Sequence, residues 1–462
     1  MKVADTLRTY SPGRRVLDLS EDLGADLAGF ELLRVGNAVR PETWPAELVA
    51  DAALVGGPAR GAAFVYRRLL RGLPAHLVPG GIVVVGPGLA PLLAQCGYTA
   101  LHAEPGFTVA RAGPAPVADR AAQAYERSAA DMLDLRWTPD EIEWLAPDPR
   151  RVWEQILAAG PGAVADTARA YNLDDPYGGA RGGPVLAGHF GVPLAAPVFG
   201  AGVASLLRDL TALADGGPVL AAHTCYPDFP DWARQAGSSV HFFDDSAPPA
   251  DWTPVVERIR PALVVADRPT LLGTVHAPGS LRPFLSTADR LDAIVIIDES
   301  YANYLGPAAS AVGLTRHAGN LIVLRGLSKG YCQGGLRVGY AVSGERLGGR
   351  VREVVPPIQT AELSFQAALR ILELGDPFGP LRRRLSRTRP TALACLRALE
   401  LTPVTGHPAL PWLIVRHGGH RLADHGVLAK PIAALPAAVK VAIPLSGTRH
   451  DRLVSLIGRE RM

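Results

Sequence analysis

Short apolar runs, bounded by glycine, proline or charged residues, recur along the whole chain and set its fold class. In the first 113 residues they are RRVLDLS (14–20), FELLRVG (30–36), DAALVGG (51–57), GGIVVVG (80–86) and FTVARAG (107–113), separated by intervals that could carry crossover helices. A second series follows residue 166: PVLAAHT (218–224), SSVHFFD (238–244), ALVVADR (262–268), DAIVIIDES (292–300), NLIVLRG (320–326) and RVGYAVS (337–343). Apolar runs without polar alternation predict strands buried on both faces, and strands alternating with helices predict parallel sheets. Ligands bind such sheets outside the carboxyl ends of the strands, so the polar residues closing these runs are the first candidates for chemistry.

Between the two series the composition turns to Ala, Pro, Asp, Arg and Trp, with helical periodicity in DRAAQAYERSAADML (119–133) and PRRVWEQILAA (149–159). Beyond residue 345 come Pro356 and Pro357, a helical ELSFQAALRILEL (362–374), then WLIVRH, GVLAKP and VKVAIP, a plausible smaller α+β domain. The expected organisation is an α/β domain over 1–113, a helical linker over 114–165, a large domain over 166–345 and a small domain over 346–462.

Composition narrows the function classes. The 462 residues hold 47 basic and 44 acidic side chains, a balance that argues against nucleic acid or an anionic membrane as partner. Cys96, Cys225, Cys332 and Cys395 form no CxxC pair and no His/Cys cluster, so neither a disulfide framework nor a metal site is expected. No apolar run approaches the ~18–20 residues of a membrane span and the opening MKVADTLRTYSPGRR has no apolar signal core, which together predict a cytoplasmic protein. Only four of the basic residues are lysines: Lys2, Lys329, Lys430 and Lys440. Where arginine is the default cation, a retained internal lysine points to a need for an amine, because a buried lysine can lose its proton and act as a nucleophile and arginine cannot.

Lys329 lies in LRGLSKGYCQGGLRVGY (324–340), just past an apolar run, with Arg325, Ser328 and Arg337 nearby, and DESYANYLGP (298–307) ends another run with Asp298 and then Tyr301. These two segments resemble the fold-type-I pyridoxal-phosphate enzymes, closest to the histidinol-phosphate aminotransferases of the class I/II aminotransferase superfamily. NLDDPYGG (172–179) is similar to the NENPYG opening segment of that group and FGAGVASLL (199–207) to its phosphate-cup turn, so the resemblance spans roughly residues 168–455. It implies a large mixed-sheet domain with a small α+β domain, pyridoxal 5'-phosphate as cofactor, an amino acid substrate held as an external aldimine, and a homodimer.

The resemblance also implies roles. Lys329 would form the internal aldimine and shuttle protons. Asp298 would pair with the pyridine nitrogen and Tyr301 with the ring's phenolic oxygen. Arg325, Ser328 and Arg337 would surround the phosphate, joined by backbone N–H groups of Val203 and Ala204 after Gly202 at a helix start. Tyr226 would stack on the ring, with His223 as the alternative. Two departures stand out. The family's NPNNPTG turn reads DRPTLLGT (267–274) here, leaving Thr270 or Asp267 to contact the ring oxygen, and the arginine expected to hold the substrate carboxylate is Lys440, with Lys430 also in place of an arginine. An amine lacks the planar bidentate fork, so the expected reaction is specialised and not simple transamination. The alternatives are an ordinary histidinol-phosphate-type aminotransferase, or Cγ substitution, elimination or C–C bond formation with S-adenosylmethionine as substrate.

The first 113 residues resemble a degenerate, Rossmann-like class I methyltransferase, with VLDL as its first strand and LPAHLVPGGIVVVG (73–86) as a later helix, turn and strand. VLDL is followed by SEDLGAD, whose one glycine is Gly24, where a cofactor-binding unit of that kind needs a glycine-rich turn, and GPG at 86–88 does not replace it. A structural or docking module is the expectation for this unit.

Overall fold

The computed structural model describes residues 3–11, 13–19, 27, 30–33, 48–55, 69–70, 73–86, 89–96, 98–112, 132–195, 197–432, 434–435 and 437–458. It divides into two compact units, Met1–Gln123 and Ala124–Met462.

The first unit is a six-stranded sheet of β1 (Arg15–Leu19), β2 (Glu31–Leu33), β3 (Ala50–Val55), β4 (Leu77–Val85), β5 (Tyr98–Glu104) and β6 (Phe107–Ala112), in the order β2-β1-β3-β4-β6-β5. β1 to β4 are parallel, and β6 runs antiparallel to both its neighbours. Leu17, Ala53, Val55, Val83 and Val85 pack on one face with Leu92 and Leu93 of the helix Ala90–Gln95. Val16, Leu54, Ile82 and Val84 pack on the other with Val3 and Leu7 of the helix Val3–Tyr10. Both faces are covered, which is why the runs of β3 and β4 lack polar alternation. β5 carries no such run: most of YTALHAE is exposed or half-buried at the sheet edge, so apolar continuity could not reveal it. The SEDLGAD turn lies outside the described residues.

The second unit begins with β7 (Leu133–Asp134). Its main sheet contains β8 (Val198–Gly200), β9 (Val219–Ala222), β10 (Val240–Phe243), β11 (Leu263–Asp267), β12 (Ile294–Asp298), β13 (Leu321–Gly326) and β14 (Gly339–Ser343), ordered β10-β9-β11-β12-β13-β14-β8. Only β14 opposes the others, making the sheet mixed. A smaller sheet follows from β15 (Pro403–Val404) and β16 (Trp412–Val415). After β17 (Val427–Leu428), which pairs with β7, come β18 (Lys430–Pro431) and β19 (Val439–Ala442), completing the order β15-β16-β19-β18.

Residues 132–165, read from sequence as part of a linker, are folded into this unit. β7 joins β17, and the helices Arg150–Ala158 and Pro161–Arg169 pack on the helix Glu362–Glu373. Most of DRAAQAYERSAADML lies outside the described residues. Among the described residues no helix is long and apolar enough to cross a membrane.

Candidate active site

The strand register builds the site. β11 and β12 are parallel and end side by side, with Asp267 paired to Asp298, and β13 ends three residues before Lys329. Tyr301 follows Asp298 by one turn, and its ring centroid lies 5.9 Å from the Lys329 Nζ. The strand ends therefore bring Lys329, Asp298 and Tyr301 together.

The backbone at Lys329 is clasped on both sides. Asn303 Nδ2 donates to the carbonyls of Gly326 and Lys329, both at 2.8 Å. Gly330 N–H donates to the Tyr304 hydroxyl at 3.1 Å, and that hydroxyl lies 3.0 and 2.9 Å from the two oxygens of buried Glu141. Gly330 has φ +78, and a Cβ there would meet the Phe378 ring at 2.8 Å, so the turn that aims Lys329 requires glycine. Burial pushes Glu141 up to about 7, against the hydrogen bonds from Thr138 and Tyr304 and the field of Lys440. Sequence reasoning missed Asn303, Tyr304 and Glu141.

The carboxyl group that ends β12 has no cation among the described residues. Asp298 accepts the Ser300 N–H at 2.8 Å, and among the described residues no basic side chain pairs with it. Burial raises its pKa, and Asp267 is raised further by burial and by the charges of Asp298 and Asp245. Burial also raises the Tyr301 hydroxyl, with Lys329 acting in the opposite sense.

At the other end, Gly202 (φ +86) precedes the helix Val203–Asp209, and a Cβ on it would stand 2.7 Å from Arg337 Nη2. The exposed Arg337 donates to the Ala201 carbonyl at 3.3 Å. A guanidinium beside a helix's first turn, where the N–H groups of Val203 and Ala204 have no acceptor within the helix, suits a phosphate. Half-buried Ser328 precedes Lys329 in the same loop.

Three expected contacts fall elsewhere. Arg325 is fully buried, with Nη1 on Glu299 at 2.9 Å and Nη2 on Asn303 at 2.6 Å, so its guanidinium is committed beneath the site and not to the phosphate. Tyr226 stacks on Trp232, with centroids 5.4 Å apart, and His223 stacks on Phe242 at 5.5 Å. The neighbouring Cys225 is the residue whose thiol, already raised by burial, is raised further by Asp267, Asp245 and Asp298. Thr270 closes its own loop: its Oγ1 accepts the Thr274 N–H at 3.1 Å. NLDDPYGG is likewise a helix cap, Asp175 accepting the N–H groups of Ala180 and Arg181 at 3.0 Å each.

The three internal lysines meet aromatic rings. Lys440 Nζ lies 4.2 Å from the Trp412 centroid, 4.4 Å from that of Tyr301 and 3.3 Å from the Tyr301 hydroxyl. Lys430 Nζ is 4.4 Å from the Trp137 centroid, and Lys329 Nζ 5.4 Å from the same ring. Trp137 follows β7, whose pairing with β17 carries it here, and no local signal in its segment marks it.

These residues fit pyridoxal phosphate. Lys329, a buried carboxyl with no cation among the described residues and an arginine by a helix start are in one region, and the buried Thr224 hydroxyl beside Cys225 has no partner among the described residues. Residues 192–417 match the family model of class I and II aminotransferases. Over 261 residues the chain is 28% identical to an aromatic amino acid aminotransferase of Mycolicibacterium smegmatis, covering 53% of this chain and 71% of the relative. The histidinol-phosphate aminotransferase of Clostridium acetobutylicum superposes with a TM-score of 0.58 at 16% identity, over 71% of this chain and 99% of that one. That of Sinorhizobium meliloti, solved in complex with pyridoxal-5'-phosphate, gives 0.57 at 20% identity, over 74% and 94%. Residues 192–417 therefore carry a class I and II aminotransferase domain, and the chain is a pyridoxal-phosphate-dependent transferase.

Proposed function

We propose that the second unit acts on the amino group of an amino acid, with Lys329 as the attachment and proton-transfer residue, and that its reaction is other than ordinary exchange with a common 2-oxo acid. Bound pyridoxal phosphate supplies an electron sink for bonds broken at the carbon bearing that amino group. Asp298 would hold a proton on the ring nitrogen, Tyr301 would donate towards the ring oxygen, and Gly202, Val203, Ala204, Ser328 and Arg337 would hold the phosphate. The observation that carries the reading is the meeting of Lys430 and Lys440 beside Lys329 and Tyr301, where a guanidinium fork would be expected to grip a plain α-carboxylate. Losing bidentate geometry costs about 1–3 kcal/mol, which a substrate with further contacts can recover.

The test is turnover with glutamate, aspartate, alanine and histidinol phosphate. Slow or absent release of 2-oxo acid from the first three is expected, and rapid catalytic release of 2-oxoglutarate from glutamate would restore the ordinary aminotransferase. S-adenosylmethionine gains no support as a substrate from the relatives and neighbours named above.

For the first unit, the parallel β1–β4 with a helix packed on each face support the Rossmann-like part of the reading without assigning it a reaction, and the antiparallel β6 and β5 depart from the parallel sheet expected from sequence. A homodimer is supported by the exposure of Tyr171 (79%) and Leu173 (70%), large side chains that a second copy would cover. The four cysteines, all free, suit a cytoplasmic setting. A large domain ending near residue 345 and a small domain from 346 remain our division of the second unit.

A further inference from the structure

One peptide bond in the reacting turn is held at both ends. The carbonyl of Lys329 accepts from Asn303 Nδ2 at 2.8 Å, and the N–H of the same peptide unit, on Gly330, donates to the Tyr304 hydroxyl at 3.1 Å. Gly330, at φ +78, is conformationally permissive, so it cannot by itself fix the plane of this peptide, and the two side chains do. Behind Asn303 stands Arg325, whose Nη2 donates to its Oδ1 at 2.6 Å. Behind Tyr304 stands Glu141. An N–H only donates, so the Tyr304 oxygen accepts from Gly330 and directs its own proton at Glu141, whose two oxygens lie at 3.0 and 2.9 Å.

Packing alone does not account for Glu141. Glu141 and Tyr304 are each 3% exposed, and among the described residues no basic side chain comes within ion-pair distance of the carboxylate. A leucine and a phenylalanine would fill the same space without the penalty of burying a carboxyl group. Besides the Thr138 hydroxyl, what the carboxylate gathers are donors that hold the turn: Tyr304 from behind Gly330, and the Cys332 thiol at 3.8 Å, two residues further along. Its segment follows β7 and is fixed in turn by Asp140, which accepts the N–H groups of Leu445 and Ser446 at 2.9 and 2.6 Å and Arg449 Nη1 at 2.6 Å. The same segment carries Trp137, whose ring centroid lies 5.4 Å from Lys329 Nζ. One segment therefore reaches Lys329 at both ends, at the amine by Trp137 and at the backbone by Glu141 through Tyr304. Among the described residues no hydrogen bond holds the amine itself.

We propose that Glu141 is a positioning residue of the reacting centre: acting through Tyr304, it fixes the plane of the Lys329–Gly330 peptide, and with it the direction in which the Lys329 side chain leaves the backbone. The proposal rests on the reading of Lys329 given above. Attachment joins the Lys329 amine to the cofactor aldehyde and releases one water, and its rate depends on how often the amine points at the aldehyde. Holding the phosphate depends on Arg337 and the start of the helix Val203–Asp209, and Glu141 hydrogen-bonds with neither among the described residues. Glu141 therefore governs the rate of attachment and leaves the initial binding of the cofactor alone.

The experiment strips the full chain of cofactor with hydroxylamine and follows the covalent absorbance band as pyridoxal 5'-phosphate is added back over a range of concentrations. The half-saturating concentration reports binding, and the limiting rate reports Lys329. Glu141→Gln, which replaces one acceptor oxygen by a donor, and Tyr304→Phe, which removes one oxygen, should each lower the limiting rate about tenfold or more and move the half-saturating concentration by less than about twofold. Because the two act in one chain, the double variant should be no slower than the slower single variant, within about twofold. Leu281→Ala, at a buried residue of the helix Pro278–Arg290 outside the site, should lower the urea midpoint and keep the limiting rate within about twofold of the wild type. A limiting rate near the wild type in Tyr304→Phe, losses that multiply in the double variant, or an equal loss in Leu281→Ala would overturn the assignment, and Tyr304→Phe decides it alone should Glu141→Gln fail to fold. A wild-type chain without any covalent band would overturn the reading of Lys329 and this inference with it. A wild-type band with unchanged variant rates would overturn this inference alone.

Discussion

Two groups of cations sit near the ends of β11, β12 and β13, and they are built by opposite rules. Below, Arg268 and Arg325 converge on Glu299 at 2.6 and 2.9 Å, and the same carboxylate accepts the Ala311 N–H at 2.8 Å and the Ser310 hydroxyl. Burial alone would raise Glu299, but Arg325 and Arg268 outweigh it and hold the group below the usual carboxylate range. Around Lys329 three amines, its own included, face aromatic rings, and none has a carboxylate in ion-pair reach among the described residues. The arginines are matched and fully buried, and the lysines are unmatched and half-buried. Matched charge holds the loop that carries Lys329, while the amines beside it have no counter-charge among the described residues.

The largest effect should come from Lys329→Ala, which removes the attachment amine and the proton carrier. Turnover should fall by roughly 10⁴-fold or more, and the bound cofactor should lose its covalent absorbance signature while the thermal midpoint changes little. A variant with turnover near the wild type would remove Lys329 from the centre of the site. Next comes Glu299→Gln, which strips both arginines of their counter-charge in a dry interior and should cost about 3–5 kcal/mol of stability by urea unfolding. A loss below about 1 kcal/mol would break the contrast between the two groups.

These two sites were not equally legible in sequence. Lys329, Asp298 and Tyr301 stand at the ends of apolar runs whose identity covalent chemistry constrains, and β9, β11, β12 and β13 show as continuous apolar runs because they are buried on both faces. Trp137 and Glu141 were invisible because a strand pairing across nearly 300 residues, β7 with β17, carries their segment to the site. Arg325 falls elsewhere for another reason: buried Glu299 takes its guanidinium, and sequence spacing cannot rank such a competitor against a phosphate. The cross-strand pairing of Lys430 with Lys440 needs the register of β18 and β19, and no motif encodes it.

Replacing Lys430 and Lys440 by methionine should move stability the other way. Removing two like charges from a half-buried strand pair should be neutral or stabilising, by about 1 kcal/mol or more. The pH dependence follows from the lowered amines. Unfolded lysines keep their protons to about pH 10.4, whereas the folded pair releases them near 7, so between these values the unfolded state binds more protons. Wild-type stability should therefore rise with pH from about 7 towards about 10, and the methionine pair should flatten that rise. A slope of the opposite sign in urea unfolding at fixed ionic strength would mean that the amines are charged and compensated in the fold.

The smallest effect sharpens the comparison by holding geometry constant. Arg234 meets Asp231 at 2.8 Å, a separation within the range that Arg268 and Arg325 show with Glu299, but both side chains are more than half exposed. If distance set the value of an ion pair, Arg234→Ala would cost what loosening Arg325 costs. Water screens the exposed pair, and ordering two long side chains offsets most of what attraction remains, so the expected cost is about 0.5 kcal/mol or less and should shrink further in high salt. A loss approaching that of Glu299→Gln would show that the guanidinium–carboxylate contact itself, and not the dry surroundings of Glu299, gives the buried network its weight.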